Sequence, residues 1–285
     1  MKETHEDWGQ GAEDFDGNHK AARRIAAESL VLLKNDAVLP FTKDKKLLVV
    51  GEYAEIPHFQ GGGSSQVNVF QVDEGIQILQ EEGFVITYVK DFADTDSILS
   101  AAKECDVALV YIGSPVAGDS EGFDRENMDL PFVQNEAICL LSETALPIVT
   151  VLYEASAVTM PWAKDVEAIL AAFLPGEGGS GAVVDVLTGK VNPSGKLPET
   201  FAKRLQDTPA YLYFPGEGDE SLYTEGLFVG YRYFERKEIE PLFAFGHGLS
   251  YTSFRYDNLT LIEDKKEFLD TDTVTFTVDV TNTAP

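Results

Sequence analysis

Carboxylates cluster in the segment Gly113–Leu130, which reads GSPVAGDSEGFDRENMDL. The segment follows an apolar run that predicts a buried strand, and ligands of α/β sheets meet the loops at the carboxyl ends of strands. One carboxylic acid among other acids can hold its proton near neutral pH and donate it to a leaving oxygen. The acids of this segment are Asp119, Glu121, Asp124, Glu126 and Asp129. From spacing alone such a charge cluster is more typical of a solvated loop, and Arg125 could pair with a neighbouring carboxylate and fix the loop's shape.

A second candidate loop, Gly51–Asn68, contains three consecutive glycines followed by two serines: Gly61, Gly62, Gly63, Ser64 and Ser65. Glycines allow another group to approach the backbone closely. A phosphate cradle of the Walker type also needs a lysine after the glycines, and none follows here. A loop shaped by a neighbouring domain or a sugar is favoured over an anion site.

The third loop, Leu174–Gly181, satisfies the dinucleotide pattern G-x-G-x-x-G. Glu177 inside the turn would repel a pyrophosphate, and no strand ending in an acid follows about twenty residues later, as that motif requires. Tight helix–sheet packing is the better interpretation, with a nucleotide-binding protein as an alternative. The four histidines show no paired metal-ligand spacing, and no G-x-S-x-G elbow occurs. We expect no metal and no cofactor.

These loops need a scaffold, and short apolar runs alternate with helical patterns up to about residue 190. The first helix is predicted over His19–Lys34, with Asn18 as its cap. Further helices are predicted over Asp73–Glu82, Asp94–Glu104, Leu130–Thr144 and Ser180–Thr188, and strands over Leu47–Gly51, Phe84–Val89, Val107–Gly113, Ile148–Tyr153 and Ala168–Phe173. Strands that are apolar throughout and separated by helices predict a doubly wound α/β fold, with a mostly parallel sheet and helices on both faces.

The chain divides into three predicted parts: a polar lead-in or linker over residues 1–18, the α/β domain over 19–253, and a period-two β pattern over 254–285. The formal net charge of −26 argues against nucleic-acid and anionic-membrane partners, which a polyanion would repel. No apolar signal-peptide core follows Met1 and no run approaches a membrane span, so a bacterial cytoplasmic location is the expectation.

Six motifs occur in the same order as in a known family. Through these motifs the chain resembles the C-terminal α/β domain of glycoside hydrolase family 3, the β-glucosidase group. The resemblance covers about residues 15–255 and continues into the start of a fibronectin-III-like β-sandwich. The motifs are Ala27–Asn35 (AESLVLLKN) leading to Leu39-Pro40, Ser120–Arg125 (SEGFDR) followed by Leu130-Pro131, Pro175–Gly181, Asn192–Phe201 (NPSGKLPETF), Tyr223–Phe234 (YTEGLFVGYRYF) and Pro241–Phe254 (PLFAFGHGLSYTSF).

The resemblance implies a retaining β-glycosidase whose active site lies between this domain and an N-terminal (β/α)8 barrel. In that arrangement the barrel supplies an Asp nucleophile, Glu121 is the general acid/base, and the substrate is a small β-glucoside. Gly61–Ser65, Asp124 and Arg125 are then substrate-binding or loop-shaping residues. No barrel precedes this domain, so the chain alone is expected to be inactive, and Asp7 is interpreted as a decoy of the nucleophile.

An alternative from another class is a carbohydrate-binding module without a catalytic role. Its sugar contacts would come from the Gly61–Gln66 loop and the aromatic segment Tyr211–Phe214. Neither interpretation distinguishes a glucosidase from a xylosidase, because the resemblance assigns the cleaved sugar largely to the barrel.

Overall fold

The computed structural model describes residues 14–263, 265 and 267–283. Within them the chain forms two compact units that divide between Leu249 and Ser250. The helices are α1 (Phe15–Ser29), α2 (Gly75–Glu81), α3 (Thr95–Ala102), α4 (Phe132–Ser142), α5 (Gly179–Leu187) and α6 (Tyr231–Lys237). The strands are β1 (Val31–Asn35), β2 (Lys46–Val50), β3 (Val85–Val89), β4 (Val107–Gly113), β5 (Ile148–Tyr153), β6 (Ala168–Ala171), β7 (Phe254–Leu261) and β8 (Phe276–Asn282).

The first unit is built on a six-stranded sheet in the order β1-β6-β5-β4-β2-β3. Five strands run parallel, and only β1 is antiparallel, against β6. Every residue of β4 and β5 is buried, as expected for central strands covered on both faces. Helices α1, α2 and α5 pack together in one group, and α3 packs with α4 in another. The predicted doubly wound α/β fold is confirmed.

The order of the parallel strands places a switch point between β2 and β4. From β2 the chain moves outward to β3 and then returns to the other side of β2 to form β4. Loops that leave the carboxyl ends of two such strands diverge and open a crevice, which is where ligands of doubly wound sheets bind. The two loops that the sequence selected, after β2 and after β4, are the loops at this crevice.

The predicted first helix is wrong at both ends. Helix α1 begins at Phe15, inside the predicted lead-in, and Asp14 rather than Asn18 caps it by accepting the Gly17 N–H at 2.8 Å. It ends at Ser29, because the next residues form the edge strand β1. An apolar run such as LVLLKN satisfies both a buried helix and a buried strand, so periodicity alone does not separate them.

The second unit is a two-stranded antiparallel ribbon of β7 and β8. Alternate apolar residues of β8, namely Phe276, Val278 and Val280, are exposed. The period-two pattern therefore forms strands as predicted. The division of the chain at Leu249 lies close to the predicted end of the α/β domain, whose assigned boundaries stay a prediction.

Candidate active site

The loops after β2 and β4 are joined to each other at the crevice. Gly62 and Ser120 form an isolated parallel bridge, and the Gly62 N–H donates to the Asp119 carbonyl at 3.1 Å. This bridge lies outside the six-stranded sheet and ties the two loops to each other. The residue that follows, Glu121, is thereby presented beside the serines of the first loop.

Glu121 is held by Ser64. The Ser64 N–H donates to Oε2 of Glu121 at 3.3 Å, and the Ser64 hydroxyl donates to the same oxygen. Because hydrogen bonds to the ionised form favour that form, these contacts lower the pKa of Glu121 below its ordinary value. The sequence predicted that neighbouring acids would keep one carboxyl group of this loop protonated near neutral pH. That expectation fails for the exposed Glu121 of this chain, because water and the Ser64 donors stabilise its charge.

The consecutive glycines allow the two loops to lie in direct contact. Gly63 has a φ of +69°, a conformation that L side chains rarely adopt, and a Cβ there would lie 3.0 Å from the Glu121 Cβ. A Cβ at Gly62 would lie 2.7 Å from the Ser120 hydroxyl oxygen. The structure therefore gives these glycines a loop-shaping contact. A contribution of the Gly61–Ser65 segment to substrate binding stays a prediction.

Arg125 fixes the far side of the second loop. Its guanidinium donates to the Ser156 hydroxyl at 2.6 Å and to the Ala157 carbonyl at 3.0 Å, both in the segment after β5. These partners differ from the carboxylate that the sequence suggested for Arg125. Asp124 and Arg125 line an open cavity of about 670 Å³ together with Asn127, Met128, Tyr211 and Phe214. The aromatic segment Tyr211–Phe214 is thus beside the Glu121 loop.

Sequence reasoning missed a group of buried polar side chains at the same edge of the sheet. Glu154, directly after β5, is fully buried, and neither of its carboxyl oxygens has a hydrogen-bond partner among the described residues. Burial and the charges of Asp119 and Glu199 raise its pKa well above the ordinary value. The same test that selected the Gly113–Leu130 loop, a polar residue at the end of an apolar strand, would have selected Glu154.

The glycine pattern at the start of α5 packs against α1. Glu177 lies 3.2 Å from Nδ1 of His19, whose Nε2 lies 2.9 Å from Asp73. A Cβ at Gly181 would lie 2.2 Å from the Asp73 carboxylate. Side chains of the same unit therefore occupy the space around this turn, which supports the packing interpretation over nucleotide binding.

Two further observations bear on the class of site. Among the described residues, no group of three or more His, Cys, Asp and Glu side chains is arranged to hold a metal ion. No helix in the described part of the chain is long and apolar enough to cross a membrane. The decoy candidate Asp7 lies outside the described residues.

Comparison with known proteins decides the family. Residues 30–231 match the family model of the glycosyl hydrolase family 3 C-terminal domain. The chain belongs to this family. It is 44% identical to the thermostable beta-glucosidase B of Acetivibrio thermocellus, over 94% of this chain and 37% of that protein. The resemblance inferred from the six motifs is confirmed.

Two further similar proteins differ in name. The crystal structure of a GH3 beta-glucosidase from Bifidobacterium adolescentis has a TM-score of 0.87 and 35% identity, over 96% of this chain and 41% of that one. An exo-alpha-(1->6)-L-arabinopyranosidase of Bifidobacterium longum is 37% identical over 95% of this chain and 38% of that protein. The chain therefore spans less than half the length of these relatives.

Proposed function

We propose that this chain is the accessory domain of a retaining β-glycosidase of the β-glucosidase type, and that Glu121 is its general acid/base. The observation that carries the proposal is the position of Glu121, exposed at the switch-point crevice on a loop that Ser64 and Gly63 hold from the other side. An exposed carboxyl at this edge can approach a substrate held by a second domain. Asp119, the rival two residues earlier, is 2% exposed in its side chain and is turned inward.

In the proposed reaction, a nucleophilic carboxylate from an N-terminal barrel attacks the anomeric carbon while Glu121 protonates the leaving oxygen. Glu121 then takes a proton from the water that attacks the glycosyl-enzyme and releases the sugar. The two carboxyl groups of a retaining pair lie about 5 Å apart. A barrel docked over the crevice would thus bring a second negative charge close to Glu121 and exclude water around it.

Both changes raise the pKa of a carboxyl group, so the docked state supplies the protonated acid that the first step requires. In the chain alone the Ser64 donors favour the ionised form of Glu121, which cannot protonate a leaving group. Two features therefore support the proposal that the isolated chain is inactive: the nucleophile is assigned to the barrel, and the protonation state of the acid is unfavourable.

The proposed substrate class is a small carbohydrate with a terminal β-linked sugar. The relatives bear the names of both beta-glucosidases and an arabinopyranosidase. Because this domain is similar in all of them, we assign the choice of sugar mainly to the barrel.

The decisive experiment uses the complete enzyme that contains this chain. Glu121→Gln should slow the hydrolysis of cellobiose, whose leaving group needs a proton, by about 10²–10⁴-fold. Formation of the glycosyl-enzyme from 2,4-dinitrophenyl β-glucoside should change far less, and azide should restore turnover because it attacks without a general base. Asp124→Asn is the matched comparison in the same loop. If Asp124→Asn showed this pattern and Glu121→Gln did not, the assignment of Glu121 would be wrong.

A second candidate function, carbohydrate binding without catalysis, is favoured by one observation. The cavity between the Glu121 loop and the Tyr211–Phe214 segment combines aromatic faces with Asp124 and Arg125. Calorimetric titration of the isolated chain with cellobiose tests it. Binding that is lost in Tyr211→Ala and kept in Glu121→Gln would support a binding module. The absence of any heat of binding at millimolar cellobiose would contradict the binding module, and the half-site would then be the one remaining proposal.

A further inference from the structure

Three polar side chains from three different loops are buried at the edge of the sheet that carries Glu121. His58 belongs to the loop after β2, Asp119 to the loop after β4, and Glu154 follows β5. The side chains of His58 and Asp119 are 1% and 2% exposed, and Glu154 is fully buried. Buried ionisable groups destabilise a fold unless they are paired or hydrogen-bonded, so the presence of these three groups needs a structural or functional reason.

Asp119 is the residue of the three that contacts both neighbouring loops. Its carbonyl accepts the Gly62 N–H at 3.1 Å, and its Oδ2 lies 3.9 Å from Nδ1 of His58. The same Oδ2 accepts the Ala155 N–H at 3.3 Å. One side chain thus links the loop after β2 to the segment after β5, two residues before Glu121.

Besides His58, the charge of Asp119 acts on Glu154 and Tyr53. Glu154 is also influenced by Glu199 and Arg125, and Tyr53 by Glu52. Burial lowers the pKa of His58, while Asp119 and the backbone of Ser114 oppose the shift. At neutral pH the imidazole is therefore uncharged. The charge of Asp119 helps to keep Glu154 protonated, because two carboxylates in one buried site repel each other.

We propose that Asp119 is a positioning residue for the general acid/base: its carboxylate accepts the Ala155 N–H beside the buried His58 ring, its carbonyl accepts the Gly62 N–H, and together these contacts fix the start of the segment that presents Glu121. The inference rests on the proposed function for its catalytic consequence. Its structural consequence, a fixed geometry between Ser64 and Glu121, is independent of catalysis. Asp119 acts through Glu121, and we assign it no contact with substrate.

The first test uses this chain alone. Asp119→Asn keeps the shape and removes the charge, and Glu126→Gln removes a charge from an exposed position of the same loop. We expect Asp119→Asn to lower the NMR-measured pKa of His58 and to shift the backbone amide resonances of Ser64 and Glu121. Glu126→Gln should change neither. Unchanged amides in a folded Asp119→Asn chain would overturn the proposal.

His58→Asn provides a second route to the same contact. It removes the imidazole on the opposite side of Asp119, so the Ser64 and Glu121 amides should shift in the same direction as in Asp119→Asn. If circular dichroism shows that Asp119→Asn does not fold, the test rests on His58→Asn alone. An unchanged Glu121 amide resonance in His58→Asn would then contradict the proposal.

The second test uses the complete enzyme and separates positioning from general stability. In Asp119→Asn, a small displacement of the Glu121 carboxyl from the leaving oxygen should lower kcat/KM for cellobiose about tenfold or more. The same variant should show little change in kcat/KM for 2,4-dinitrophenyl β-glucoside. Glu126→Gln, at an exposed position of the same loop, should change neither rate.

The outcomes distinguish the two proposals. If Glu121→Gln lacks the leaving-group dependence, the proposed function fails whatever Asp119→Asn does. If Glu121→Gln shows it and Asp119→Asn behaves like Glu126→Gln in both the kinetics and the spectra, the positioning role alone is wrong.

Discussion

Ser64 donates both its backbone N–H and its hydroxyl to a single oxygen of Glu121, Oε2. The contact joins two loops that are 57 residues apart in sequence. The contact orients the Glu121 side chain. It also favours the ionised form of this proposed acid/base, because both donors hydrogen-bond to the carboxylate. A residue that orients a general acid in this way also opposes its protonation, and that conflict is relieved only if the surroundings of Glu121 change.

Ser64→Ala tests this contact directly. Removal of the hydroxyl leaves one donor, so the pKa of Glu121 should rise toward its ordinary value, as followed by NMR titration of the side-chain carboxyl carbon. Ser65→Ala is the matched control, since the Ser65 hydroxyl donates to the Gly62 carbonyl at 2.9 Å and not to Glu121. Equal shifts in the two variants would contradict the assigned role of Ser64.

Gly63→Ala tests the close approach of the loops. Gly63 and Gly83 both have positive φ, +69° and +92°, but a Cβ at Gly63 would lie 3.0 Å from the Glu121 Cβ, whereas a Cβ at Gly83, just after the end of α2, would meet nothing within 4 Å. Each alanine should lower the free energy of unfolding by about 1–2 kcal/mol through backbone strain. Only Gly63→Ala should also change the titration of Glu121. A changed titration in Gly83→Ala as well would assign the effect to strain rather than to contact.

The isolated chain should release no p-nitrophenol from aryl β-glucosides above the buffer rate. General acid catalysis contributes only about 10²–10⁴-fold and does not replace a covalent route. Glu121→Gln in the same chain should therefore give the same background rate. Robust turnover by the pure chain that disappears in Asp7→Asn would show that Asp7 is a nucleophile after all.

Glu154 predicts an unusual dependence of stability on pH. An unfolded Glu loses its proton near pH 4.5, whereas the folded chain retains it to much higher pH. Between these values the folded state binds one more proton, so its stability falls as pH rises, by at most about 1.4 kcal/mol per pH unit.

Glu154→Gln removes this titration. The variant should gain stability relative to the parent chain between pH 5 and pH 8, measured by urea unfolding, and the gain should vanish near pH 4.5. Glu143→Gln, at the exposed end of α4, is the control and should leave the pH dependence unchanged. A parent chain and a Glu154→Gln chain with parallel stability profiles would show that Glu154 is not protonated in the fold.

The sequence predicted the central strands well because a short, wholly apolar run between turns is typical of a buried strand. The bounds of β4 and β5 are those predicted, Val107–Gly113 and Ile148–Tyr153, since an apolar run of six or seven residues between turns fits a strand covered on both faces. Strand β1 was missed because its antiparallel partner, β6, lies far along the chain, and local pattern carries no information about pairing.

Position after a buried strand singled out the loop after β4, the family motif singled out Glu121 within it, and composition singled out the Gly61–Ser65 loop. The role of these residues stays a prediction. Their mutual contact, the inward turn of Asp119 and the burial of Glu154 depend on which strands are neighbours. The strand order determines these features, and no short segment of sequence contains it.

The antiparallel strand β1 has a consequence for synthesis on the ribosome. Val31 pairs with Ala171, so about 140 residues must be translated after Val31 before its partner exists. At about 5–20 residues per second, the apolar strand Val31–Leu33 waits on the order of ten seconds without a sheet edge to join. During that interval it is a natural binding segment for a nascent-chain chaperone. The six-stranded sheet is therefore complete only after β6 has emerged.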